Sequence, residues 1–76
     1  MNTVNTQQFS NQKYDIVRFY FDSSKSSRII LRNLTLEDAQ RHCNDPETSS
    51  STCTLPSKKA ITKRNGRWFD EIQLSR

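Results

Sequence analysis

The stretch KYDIVRFYF, Lys13 to Phe21, decides the fold. It is dense in β-branched and aromatic residues and holds neither Gly nor Pro, which is the signature of a β-strand. Strand alternation puts Val17, Phe19 and Phe21 on one face and Tyr14, Ile16, Arg18 and Tyr20 on the other. Both faces are substantially apolar. The segment therefore reads as a central strand, or as one with a helix over one face and a partner over the other.

Working outward, the polar connector DSSKSS, Asp22 to Ser27, leads to a second strand, RIILR, Arg28 to Arg32. The short connection predicts an antiparallel hairpin. A helix follows in NLTLEDAQRHCN. Thr35 is its expected N-cap, Asp38 stands at the acidic place of a capping box, and Leu34 is set to staple against Ala39. Glu37 and Asp38 lie in the first turn and Arg41 and His42 in the last, which matches the helix dipole. Leu36, Ala39 and Cys43 share one face, expected to lie on the hairpin. Asn44 suits the helix end, and the Asp45-Pro46 step opposes continuation.

The hydroxyl-rich run up to Thr54 shows no period. Beyond Pro56 the chain turns basic in SKKAITKR, Ser57 to Arg64. Asn65-Gly66 then signals a two-residue turn into RWFDEIQL. Pairing across that turn puts Ile61, Lys63, Trp68 and Asp70 on one face, and Thr62, Arg64, Arg67 and Phe69 on the other. Neither face is cleanly apolar, so at least one arm is expected to be irregular or at an edge. The predicted fold is α+β: an antiparallel β-hairpin packed by one α-helix, then one or two short C-terminal strands. Residues 1–12, with Val4 and Phe9 as isolated apolar side chains, read as a flexible polar tail. Residues 13–74 read as a single small domain.

At 76 residues and 32% hydrophobic content the core must be thin. Its candidates are Tyr14, Ile16, Val17, Phe19, Phe21, Ile29, Leu31, Leu34, Leu36, Ala39, Ile61, Trp68 and Phe69. Thin cores are often completed by an oligomer interface or a partner, so a homo-oligomer is one expectation. The sequence shows no apolar run of roughly 18 residues and no basic-then-apolar leader, which suggests a soluble intracellular protein. Two cysteines are too few for a disulfide scaffold. A formal charge of +4 permits attraction to nucleic acid without requiring it.

The segment HCNDPETSSSTC, His42 to Cys53, gathers candidate ligands for a metal: His42, Cys43, Cys53 and Asp45. Adjacent helix residues point about 100° apart, and no Cys-x-x-Cys or second histidine is present, unlike established zinc spacings. The favoured reading makes Cys43 a core residue and His42 a solvated cation near the helix end. Nucleophilic catalysis by a Cys–His pair needs an orienting group and an oxyanion site, for which a short chain has little room. A phosphate-binding role for the hydroxyls competes with a self-bonded loop, which Ser, Thr, Asp and Asn favour, and in which Asp45 or Thr48 caps a turn at Pro46–Glu47. The loop reading is preferred. No enzyme, cofactor or metal is expected.

Three stretches, YDIVRFYF, LTLEDAQRHCNDPETSSSTCT and GRWFDEI, make the chain similar to a family of small uncharacterised proteins of tailed phages, notably those of actinobacteria. Asn33 stands where that family has a glycine before the helix, and Asn tolerates a left-handed backbone. Glu71 replaces the glycine of the Trp-Phe-Asp-Gly segment, a position less suited to such a backbone. The resemblance implies phage or prophage origin and a host-cytoplasm setting, and it implies no activity. The leading expectation is a non-enzymatic phage accessory protein that binds a host or phage protein, through Tyr14, Tyr20 and Trp68 if they form an exposed patch. The alternative is a small nucleic-acid-binding module using Lys58, Lys59, Lys63, Arg64, Arg67 and Trp68, extended by Arg18, Arg28 and Arg32.

Overall fold

A computed structural model of the chain describes residues 12–75; the expected tail, residues 1–12, falls almost wholly outside the described residues. The elements are β1 (Tyr14–Tyr20), β2 (Arg28–Leu34), α1 (Leu36–Cys43), a 3₁₀ turn (Pro46–Thr48), α2 (Pro56–Asn65) and β3 (Trp68–Leu74). The strands form one antiparallel sheet in the order β2-β1-β3, so the KYDIVRFYF segment is its central strand. The α+β class and the initial hairpin are as the sequence predicts.

Strand β3 pairs with β1 in unbroken register, from Tyr14 opposite Leu74 to Tyr20 opposite Trp68. The β1–β2 ladder is less regular. Its register shifts between Tyr14 and Ile16 and again between Ile16 and Val17, each shift giving β2 an extra residue. Asn33 lies in the first of these irregular stretches with φ 59°, a left-handed backbone that Asn tolerates. Its N–H donates to Asp15 Oδ1 at 3.1 Å, so a side chain takes over where the ladder is interrupted. Glu71 sits in the regular ladder opposite Val17 with no left-handed backbone, so the missing glycine leaves no strain there.

Helix α1 begins as its sequence directs. Thr35 Oγ1 accepts from the Asp38 N–H at 3.1 Å. Asp38 does not reach back to complete the box; it pairs with Arg41 at 2.8 Å. Of the three apolar positions predicted to share its face, Ala39 is fully buried and Cys43 half-buried, whereas Leu36 is exposed.

The segment read as an arm of a C-terminal hairpin is instead a second helix, α2. Pro56 occupies its first turn, where a missing N–H costs nothing. Leu55, the N-cap residue, makes no side-chain cap. Glu47 supplies the cap from across the loop: its carboxylate accepts from the N–H groups of Leu55 at 2.9 Å and Thr54 at 2.9 Å, and from the Thr54 hydroxyl at 2.9 Å. Gly66, at φ 80°, closes the helix by donating its N–H to Thr62 O at 2.8 Å. Asn65-Gly66 is therefore a helix end and not a hairpin turn.

The core is smaller than the sequence suggests. Ile16, Val17, Ala39, Cys53 and Trp68 are its buried apolar members. Phe21, Ile29, Leu31 and Leu36, all expected inside, are exposed. Phe21 and Ile29 are exposed because both helices pack on the opposite face of the sheet; Leu31, opposite Ile16, is on the covered face but on the edge strand, and Leu36 is on α1 itself. Trp68, Asp70 and Ile72 lie on the same face as Tyr20, Arg18 and Ile16, and α1 and α2 reach that face through His42, Cys43 and Thr62.

At the centre of the covered face, Arg18 is 8% exposed and forms a two-pronged ion pair with Asp70 (Nε–Oδ1 2.7 Å, Nη2–Oδ2 3.0 Å). Its guanidinium lies 4.4 Å from the centre of the Trp68 ring. His42 Nε2 stands 3.2 Å from Asp70 Oδ2. Removing one member of a buried pair leaves an uncompensated charge and costs about 3–5 kcal/mol. Asp70→Asn is expected to destabilise by about 3 kcal/mol in urea unfolding, whereas the apolar double variant Arg18→Met/Asp70→Leu regains most of that loss. If the double variant were as unstable as the single one, unpaired charge would not be the cause.

Candidate functional site

The residues singled out from sequence do not form one surface. Trp68 is 0% exposed, so its indole is available neither to a protein partner nor to a nucleobase. Its ring N–H donates to Thr62 Oγ1 at 2.9 Å, its backbone N–H to Ser50 Oγ at 3.0 Å, and its carbonyl accepts from Ser50 N–H at 2.9 Å. Arg18 is withdrawn from the basic patch by Asp70. Tyr14 and Tyr20 are half-buried, at opposite ends of β1. Arg28 and Arg32 are exposed on the edge strand β2. Lys59, Lys63 and Arg64 are exposed on α2, with Lys58 half-buried beside them.

Among the described residues no helix covers the other face of the sheet. Phe19 and Phe69 face each other across β1 and β3 with ring centres 5.6 Å apart, nearly parallel. Phe21 meets Phe69 edge-on at 5.8 Å and is 58% exposed. The Arg67 guanidinium lies 4.5 Å from the centre of the Phe21 ring. Ile29, exposed, stands opposite Val17 beside them. Farther along, Asp15, Val17, Ile29, Arg32 and Gln73 line a hollow of about 380 Å³. Three aromatic rings on a sheet surface with a cation at their margin make an apolar patch. Sequence reading placed these rings in the core. The signal for them was already there, because KYDIVRFYF is apolar on both faces and the helices cover only one.

The hydroxyl loop is held by its own bonds. Asp45 Oδ1 accepts from the Glu47 N–H at 2.9 Å and caps the 3₁₀ turn. The Thr48 hydroxyl donates to Asp45 O at 2.7 Å and the Thr52 hydroxyl to Pro46 O at 2.6 Å. Ser49 bridges to Phe69 and Ser50 bonds Trp68, so the loop also closes the outer edge of β3 at its start. Cys43 and Cys53 are both free thiols. Cys43 Sγ donates to Asp70 O at 3.9 Å, and Cys53 Sγ to Ser50 O at 3.9 Å. Burial first, then the Asp70 and Glu71 carboxylates, push the Cys43 thiol up, which keeps it protonated and a poor nucleophile. The potential ligands therefore divide: His42 and Cys43 turn to Asp70, while Cys53 serves the loop.

Charge is distributed unevenly. Seven of the eight carboxylates, all but Glu71, are engaged by internal hydrogen bonds or ion pairs. Among the described Lys and Arg residues, only Arg18 and Arg41 take part in ion pairs. Most of the described Lys and Arg side chains therefore form no ion pair, while Glu37, Asp38 and Glu71 remain exposed to solvent.

The cap on α2 is testable by pH. Hydrogen bonds from Leu55 N–H, then from Thr54, hold the Glu47 carboxyl below the usual glutamate range. Its stabilising contribution is complete above the unfolded value of about 4.3 and is lost as pH falls through the lower folded value. Glu47→Gln is expected to lower the urea midpoint at pH 7 and to flatten its fall below about pH 5. Asp15, held low by the Ser75 hydroxyl and the Asn33 N–H, and Asp22, held low by Ser24, add decline of the same sign in both proteins. Identical acid profiles for the two proteins would remove Glu47 from that role. Compared with known protein families, curated proteins and solved structures, the chain matches none.

Proposed function

We propose that this chain is a non-enzymatic accessory protein of a phage or prophage, acting in the host cytoplasm by binding a host or phage protein through the uncovered sheet face. The observation that carries the binding surface is the ring cluster Phe19, Phe21 and Phe69, bordered by Arg67. The phage setting rests on the sequence resemblance alone. A non-enzymatic role is supported by the engagement of His42 and Cys43 with Asp70.

The chemistry of the partner follows from complementarity. An apolar contact centred on the rings, with a carboxylate set against Arg67 and none against Glu71, which stands opposite Val17 on the same face, fits this surface. Size adds a constraint. Three strands of seven residues span roughly 14 by 23 Å, or about 330 Å². A standard interface buries about 800 Å² on each side. A second copy docked by this face alone falls short, and a partner that continues past the strands onto the Arg67 margin fits better.

The experiment is capture from nuclease-treated host lysate, identification of the bound protein by mass spectrometry, and affinity measurement with purified variants. Phe21→Ala and Arg67→Ala, both at exposed positions, are each expected to weaken binding about tenfold, with little dependence on salt for the ring contribution. A captured protein indifferent to both substitutions would exclude the sheet face.

A second reading, nucleic-acid binding, is favoured by one feature. Helix α2 carries Lys58, Lys59, Lys63 and Arg64 and no acidic residue. That reading requires affinity for single-stranded oligonucleotides that falls steeply with ionic strength. A gel shift absent at low salt would end it.

A further inference from the structure

We propose that the cleft between the hydroxyl loop and α2 is a binding site for a phosphoryl oxyanion. Ser50 and Cys53 from the loop and Lys59, Thr62 and Lys63 from the helix line an open hollow of about 310 Å³. Among the described residues no carboxylate lines it. This site does not depend on the sheet-face reading, because it lies on the helix-bearing side of the sheet.

Its donors are arranged by Trp68. The Thr62 hydroxyl accepts the indole N–H at 2.9 Å, and the Ser50 hydroxyl accepts the Trp68 backbone N–H at 3.0 Å. Each hydroxyl oxygen is thereby committed as an acceptor, and its own proton is left to donate. Neither has an acceptor among the described residues. Lys59 and Lys63, one turn apart on α2, add two ammonium groups that form no ion pair among the described residues. Two cations and two hydroxyl donors around one hollow match the needs of a tetrahedral anion, which accepts several charge-assisted hydrogen bonds at once.

The buried Cys53 forms part of the wall, and its thiol is turned to Ser50 O. Because Ser50 also pins Trp68, the site is braced by the core and does not rest on surface lysines alone. The same phosphoryl chemistry is presented by free phosphate and by the backbone of a single-stranded nucleic acid. One titration separates them.

The probes are inorganic phosphate and a single-stranded oligothymidylate, each added at constant ionic strength to isotope-labelled protein and followed by amide and side-chain NMR. Saturable shifts at Ser50, Lys59, Thr62 and Lys63 support the site. With phosphate alone active, the ligand is a free phosphate; with both active, it includes the nucleic-acid backbone. The double variant Lys59→Gln/Lys63→Gln, on an exposed helix surface, is expected to weaken binding about tenfold or more. Lys58→Gln/Arg64→Gln removes the same charge from the same helix outside the cleft and is expected to change it by less than about twofold. Equal losses in the two double variants would reveal diffuse attraction and overturn the proposal. So would shifts reproduced by chloride, or no shift with either probe.

Discussion

A guanidinium buried under a sheet-facing helix layer is the constraint on which the rest of this structure turns. Arg18 lies in the middle of the central strand, on the face that both helices cover. A charge there is tolerable only with a well-placed counter-ion and saturated donors. Asp70 provides the counter-ion and accepts two of the five guanidinium N–H bonds, from the cross-strand position directly opposite. A one-residue slip of β3 would send Asp70 to the other face and strand both charges. The ion pair thus selects one register for a pairing that joins residues 52 positions apart.

Trp68, stacked under that guanidinium, extends the constraint to the irregular half of the chain. Its backbone holds the hydroxyl loop and its indole holds α2. Glu47 then ties loop to helix at the other end. Helix α2 buries no residue fully, so polar contacts to the loop and to Trp68 carry much of its attachment. Positioning of the basic helix and formation of the hydroxyl-lined cleft follow from the same few bonds.

The cost of placing both helices on one side is an aromatic face that no helix among the described residues covers. In a larger protein a further layer would bury Phe19, Phe21 and Phe69. Here the rings pack against each other, with Arg67 and Ile29 beside them. Lys and Arg outnumber Asp and Glu by twelve to eight, and among the described residues only Arg18 and Arg41 of the former are paired. A surface of this kind favours apolar contact with an acidic border on one side of the sheet and oxyanion contact on the other.

Local sequence determined what depends on near neighbours. The composition of KYDIVRFYF, apolar on both faces, marked a central strand, and Thr35 marked the start of α1. Helix α2 was hidden because its cap comes from Glu47, eight residues before Leu55, and because its polar sequence has no clear apolar stripe. The sites of Arg18 and Trp68 were hidden for a related reason. A cation and an indole look like surface recognition groups until a distant carboxylate and hydroxyl are shown to meet them. Which face of the sheet stays open, and which charges remain free, depended on long-range pairing. Burial and charge neutralisation belong to the assembled fold, and no short window of residues contains both partners.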